Sequence, residues 1–159
     1  MSFNPKKSVS IRFGRKPTVI LPKLCNGNDK TECKTHVNLL GNCLQYNLTE
    51  ELDVAKKKGD LFGRVNALLV ALPDAPEHLL LRVFDTKCCH FYGVQSWDLS
   101  DKHTNHFFTA WNRCARRLLE LHPATHTRYV TAMVGWNSQS RIMCSTRRLI
   151  QGVCSHPEP

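Results

Sequence analysis

A chain of 159 residues, 42% hydrophobic and 22% charged, suffices for one compact domain or two small subdomains, and it has no low-complexity tract of the kind that excludes a packed core. The balance is basic, 22 Lys+Arg against 13 Asp+Glu for a net charge of +9 and a pI near 9.3, which points toward contact with polyanions. The excess lies at the two ends: residues 1–49 carry 8 basic and 2 acidic side chains, residues 50–99 carry 6 and 8, and residues 100–159 carry 8 and 3.

Residues 8–13 alternate, with Val9, Ile11 and Phe13 on one face and Ser8, Ser10 and Arg12 on the other, which predicts a half-buried strand. Residues 18–21 read as its partner across Gly14-Arg15-Lys16-Pro17. Asn26-Gly27-Asn28 is a turn signal, and residues 37–44 read as a third strand interrupted by Gly41. The opening is thus expected to be a small antiparallel sheet.

After Thr49 the period becomes helical. Leu52, Ala55, Gly59, Phe62, Val65 or Asn66, and Leu69 form the expected apolar stripe, with Thr49 as N-cap and Pro73 as terminator. Asp74-Ala75-Pro76-Glu77 starts a second helix, with Asp74 as cap, that is expected to reach about Phe91 before Gly93 closes it. A third begins at Ser100. Its stripe is Phe107, Trp111, Cys114, Leu118 and Leu121, its arginines Arg113, Arg116 and Arg117 lie off the stripe, and Pro123 ends it. Two shorter helices are expected over 125–134 and 139–153, then a frayed tail, 154–159. Strands followed only by helices predict an α+β chain: a small antiparallel sheet over about 1–48 and an all-α body over 49–153.

The stretch Met1-Ser2-Phe3-Asn4-Pro5-Lys6-Lys7 has no apolar segment of the secretory type, and no uncharged apolar run nears the ~20 residues of a membrane span. An intracellular chain, nuclear or cytoplasmic, is expected. Its eight cysteines should then be reduced, and Asn47-Leu48-Thr49 would be a chance glycosylation match.

Metal spacing is poor. There is no Cys-x-x-Cys, and adjacent Cys88 and Cys89 point about 100° apart on a helix. His103 and His106 share a helical face, whereas Pro123 breaks the spacing of His122 and His126. No bound metal or cofactor is expected. Cys89 and His90 are sequence neighbours, the wrong relation for a catalytic dyad. The carboxylates Asp53, Asp60, Asp74, Asp85, Asp98 and Asp101 are scattered over caps and helix faces, where two-metal chemistry needs them together. No complete catalytic site is read.

The strongest physical signal is Trp111-Asn112-Arg113-Cys114-Ala115-Arg116-Arg117, three guanidinium groups on a helix whose other face is aromatic. Arginine forks suit phosphate oxygens. The plain alternative is a solvated polar face, and Trp97, Phe107 and Trp111 are core residues before they are stacking platforms.

Phe91-Tyr92-Gly93-Val94-Gln95-Ser96-Trp97-Asp98-Leu99-Ser100, then Phe107-Phe108-x-Ala110-Trp111-Asn112-x-x-x-Arg116-Arg117-Leu118-Leu119-x-Leu121 and Thr125-His126-Thr127, resembles the region after the palm in LINE-type (non-LTR) retrotransposon reverse transcriptases of the jockey, chicken-repeat and RTE kinds. Gly63-Arg64-Val65-Asn66-x-Leu68 resembles their "G-R-x-N-x-L" helix. Asn38-Leu39-Leu40-Gly41 is similar to their primer-gripping hairpin, and Asn4-Pro5-Lys6-Lys7-Ser8 to the last palm motif. Two departures stand out. Leu39 replaces the usual aromatic or His before Leu-Gly, and Leu121-His122-Pro123-Ala124 stands where a "L-P-Y-R"-like segment is common.

The resemblance covers about residues 4–130 and implies a palm remnant followed by a thumb. It implies primer-grip-like residues Leu39, Leu40 and Gly41, and a lysine, Lys6 or Lys7, matching one that assists pyrophosphate departure. The parent family is an RNA-directed DNA polymerase that uses Mg²⁺. Its metal-binding aspartates would precede Asn4, so this fragment is expected to be no enzyme on its own. The expected function is sequence-independent grip on a primer-template duplex or hybrid through phosphates, by Lys56, Lys57, Lys58, Arg64, Arg113, Arg116 and Arg117, with no membrane partner. The alternatives are a non-functional retrotransposon relic, a domesticated protein-interaction module and, more weakly, a Cys/His metal module.

Overall fold

The computed structural model describes residues 8–14, 25–26, 29–89, 93–135, 140 and 142–143. They divide into two compact units, Met1–Asp53 and Val54–Pro159. The order is strands and then helices, an α+β chain.

Among the described residues the first unit holds six short strands: β1 (Val9–Ile11), β2 (Cys25–Asn26), β3 (Asp29–Lys30), β4 (Glu32–Lys34), β5 (His36–Leu39) and β6 (Asn42–Gln45). They pair two by two. β1 runs parallel to β4, with Ser10 opposite Cys33, so this pair departs from the expected antiparallel sheet. The partner expected for residues 8–13, residues 18–21, lies outside the described residues, as do Lys6 and Lys7. β2 and β3 pair antiparallel with Asn26 opposite Asp29, bracketing the expected turn.

Residues 37–44 are two strands, not one. β5 and β6 form an antiparallel hairpin with Leu39 opposite Asn42. Both residues between them have positive φ, Leu40 at 49° and Gly41 at 87°. That is the primed two-residue turn whose twist matches a hairpin. Glycine takes the conformation freely, whereas Leu40 takes it at a cost of roughly 1–2 kcal/mol. In β6, Cys43 and Gln45 are buried in alternation with half-buried neighbours.

Helix α1 (Glu51–Ala71) begins in the first unit. The Thr49 hydroxyl does not cap it; it donates to Asn47 Oδ1 at 2.9 Å. Asp53 in the first turn is buried and accepts the Cys43 backbone N–H at 2.9 Å, tying hairpin and helix start together. Leu72 and Pro73 follow the helix, as the proline demands.

In the second unit the buried face of α1 is Val54, Leu61, Val65 and Leu68. The expected stripe is therefore turned on the helix: Leu52, Ala55 and Gly59 are exposed, and Phe62 and Leu69 are half-buried. α2 (Glu77–Val83) starts after Pro76 with no side-chain cap, so Asp74 is not its cap. It passes into a π-helical turn, Phe84–Cys88, short of the expected end at Phe91, a residue that is itself outside the described set. Gly93, with φ of 80°, precedes a 3₁₀ turn, Val94–Ser96.

α3 (Lys102–Leu118) buries Phe107, Trp111, Cys114 and Leu118 as expected, together with Thr104, Phe108, Ala110 and Ala115. Phe84 and Trp111 lie 5.6 Å apart between ring centroids, and Trp97 meets Phe107 edge-on at 5.1 Å. These rings with Leu61, Val65, Leu80 and Val130 make the core. α3 ends in a Schellman arrangement: Leu121 N–H bonds to the Arg116 carbonyl at 2.8 Å and Glu120 N–H to that of Arg117 at 3.4 Å. Glu120 holds the left-handed position, at φ of 50°, that glycine usually fills. α4 (Thr127–Val134) ends at Gly135, whose φ is 81°. Most of the helix expected over 139–153 lies outside the described residues; Ile142 is buried in the core.

Candidate nucleic-acid interface

The amphipathic character of α3 decides which of its side chains face water. With one face taken by Phe107, Trp111, Cys114 and Leu118, the opposite stripe is Lys102, His106, Thr109, Arg113 and Arg117. These residues recur at spacings of three or four and so lie in line on a helix. None is acidic. At 1.5 Å per residue the stripe runs roughly 22 Å.

Between α1 and α3 is a cleft of about 230 Å³ lined by Lys58, Phe62, His106, Thr109, Ala110 and Arg113. Lys58 and Phe62 stand one turn apart on α1. Among the described residues neither Lys58 nor Arg113 has a hydrogen-bond or ion-pair partner. The Thr109 hydroxyl donates to the Asn105 carbonyl at 3.0 Å. The imidazoles of His103 and His106 meet edge-on at 6.1 Å, as a shared helical face requires.

The expected phosphate-binding residues fare differently. Lys56 and Arg64 are exposed. Lys57 is buried, with its Nζ 5.3 Å from the centre of the Trp97 ring, so its charge faces an aromatic and not solvent. Arg116 is half-buried: its Nε donates to the Thr125 carbonyl at 2.9 Å and its Nη2 to Thr127 Oγ1 at 3.1 Å. It fastens the turn around Pro123 to α3. Arg117 is exposed and donates to Asn66 Oδ1 on α1 at 2.5 Å. Trp97, Phe107 and Trp111 are core residues. Leu39, Leu40 and Gly41 are all exposed at the hairpin tip.

Of the expected residues, Lys58 and Arg113 thus meet at one cleft, and Arg117 lies exposed on the same α3 stripe while bonded to Asn66. Sequence reasoning missed Lys102, Thr109 and His106 as their companions. The signal was present: Lys102, His106, Arg113 and Arg117 share the face opposite the aromatic stripe.

The histidines 122 and 126 are occupied locally. His122 Nδ1 accepts the Ala124 N–H at 3.2 Å, and His126 Nδ1 caps α4 by accepting the Arg128 N–H at 3.2 Å. Cys33, Cys43, Cys88, Cys89 and Cys114 are free thiols. Burial pushes Cys89 and Cys114 up to about 12 and raises Cys88 as well. Such thiols are poor nucleophiles and poor metal ligands. Trp111 Nε1 donates to Cys89 Sγ at 3.4 Å.

Mg²⁺ needs oxygen ligands held in near-octahedral order. The described residues contain no group of three or more His, Cys, Asp or Glu side chains placed to hold a metal ion. Asp53, the most buried carboxylate named above, is engaged by the Cys43 N–H. No described helix is long and apolar enough to cross a membrane. Comparison with protein-family models, with curated proteins and with solved structures gives no match.

Proposed function

We propose that this chain grips a nucleic-acid duplex or hybrid by its phosphates, without reading sequence, as a thumb-side fragment of a LINE-type RNA-directed DNA polymerase that is catalytically incomplete alone. The observation that carries the reading is the stripe Lys102, His106, Thr109, Arg113 and Arg117 on α3, which holds no acidic residue, with Lys58 across the cleft. Lys102, Arg113 and Arg117 in line on one helix suit a line of phosphates, and contacts to phosphate position a protein without conveying sequence. The Asn66–Arg117 bond supports the resemblance. It joins the G-R-x-N-x-L block to the W-N-x-x-x-R-R block, 51 residues apart in the chain.

Titration of duplexes of unrelated sequence tests this reading. Affinities that agree within a few-fold and fall steeply with salt are the expected result. A preference above about 10³ for one sequence would replace it with a base-reading module.

A second reading, a domesticated protein-interaction module, is favoured by the hairpin tip. Leu39 and Leu40 are 54% and 78% exposed there, and Leu40 occupies a strained turn position. A protein partner bound independently of salt and lost on Leu40→Asn would select that reading, because Asn keeps the turn and removes the apolar surface.

A further inference from the structure

We infer that the cleft between α1 and α3 receives the terminal phosphate monoester of a nucleic-acid strand; this rests on the nucleic-acid reading above and names the group that its central site takes. Two cations without partners among the described residues, Lys58 and Arg113, approach one concavity from different helices, and His106 stands at its wall. No carboxylate lines it. An internal phosphodiester brings one negative charge, whereas a terminal monoester carries about 1.5 to 2 at neutral pH and three acceptor oxygens. The convergence of charge matches the monoester.

Size and chemistry narrow the ligand further. At about 230 Å³ the cleft is smaller than the ~300–1,000 Å³ of sites that enclose a whole small ligand, so it takes the end of a larger molecule. Its only hydroxyl, on Thr109, is committed as a donor to Asn105, which leaves recognition to the two fixed cations and the imidazole. Phe62 and Ala110 supply an apolar surface against which the terminal sugar rests. The remaining stripe, toward Arg117, follows the strand inward from that end.

The test is fluorescence anisotropy at about 50 mM salt with one duplex sequence in three forms: 5′-hydroxyl, 5′-phosphate and 3′-phosphate. One phosphorylated end should bind about five-fold more tightly than the hydroxyl form, the scale of two exposed charge pairs. The arm that shows the gain identifies which strand end enters the cleft. Arg113→Gln and Lys58→Gln should each lower the ratio to about two and the double variant should bring it close to one, while Lys87→Gln, exposed on the π-helical turn outside the cleft, should keep it. Equal binding of all three forms by the unaltered protein would overturn the inference and leave the backbone grip standing. A ratio that survives in the double variant would also overturn it, by placing the preference elsewhere. Failure to bind any duplex at this salt would remove the grip and the inference together.

Discussion

The Lys57 ammonium lies 5.3 Å from the centre of the Trp97 ring, and Lys57 is only 7% exposed although it sits in a run of three lysines. Its stem covers the core while its charge faces the indole. Lys57→Gln should therefore lower stability, by about 0.5–2 kcal/mol, through lost packing and lost cation–π attraction. Urea unfolding measures that, and the salt dependence of duplex binding by the same variant should be unchanged. A reduced slope would place Lys57 on the phosphate surface.

Arg116 is held by Thr125 and Thr127. Arg116→Gln should cost about 1–2 kcal/mol, because the Thr125 carbonyl loses a charged donor and the turn at Pro123 loosens. Proteolysis should then cut first within 121–126. The same change at Arg113, which has no such partner among the described residues, should alter stability by less than about 0.5 kcal/mol. Equal destabilisation by both would contradict the distinction.

These contrasts show what was legible in the chain. The α3 stripe of Phe107, Trp111, Cys114 and Leu118 could be read because each residue is strongly apolar and the spacing is regular. α1 was legible as a helix, but its buried face was not. Lys57 falls within the true stripe, and the Trp97 ring that faces its charge lies 40 residues on. Leucine is not a turn residue, so periodicity hid the Leu40–Gly41 turn. The parallel pairing of β1 with β4 joins residues more than 20 apart, and nothing local encodes it. At the site, the exposed setting of Arg113 and Arg117 followed from helical phase. The approach of Lys58 to Arg113 and the engagement of Arg116 depend on tertiary contacts that spacing does not carry.

Glu120 holds a left-handed C-terminal position at φ of 50°. Glu120→Gly should relieve that strain and stabilise the second unit by about 0.5–1 kcal/mol, since the gain slightly exceeds the added freedom of the unfolded chain. A higher urea midpoint with unchanged slope is the expected readout. A lower midpoint would show that the side chain of Glu120 contributes more than its backbone costs.

Burial raises the thiols of Cys89 and Cys114 from the ordinary 9.0 to about 12. The folded chain therefore holds protons that the unfolded chain releases at high pH. Their contribution to stability is fully present below pH 9 and is lost as pH rises toward 12. Alkylation at pH 8 should accordingly mark exposed Cys33 well before Cys88, Cys89 or Cys114, as peptide mass mapping would show. Prompt labelling of Cys89 in the folded chain would contradict its burial.

The central claim is that Lys58, Arg113 and Arg117 meet phosphates, and the salt dependence of duplex affinity tests it most directly. Each contact on B-DNA contributes about 0.9 to the slope of log affinity against log salt. The Lys58→Gln/Arg113→Gln/Arg117→Gln variant, its fold checked by circular dichroism, should therefore bind with a slope smaller by roughly 2.7 than the unaltered protein. A folded triple variant whose slope matches that of the unaltered protein would contradict the claim and make these side chains a solvated face.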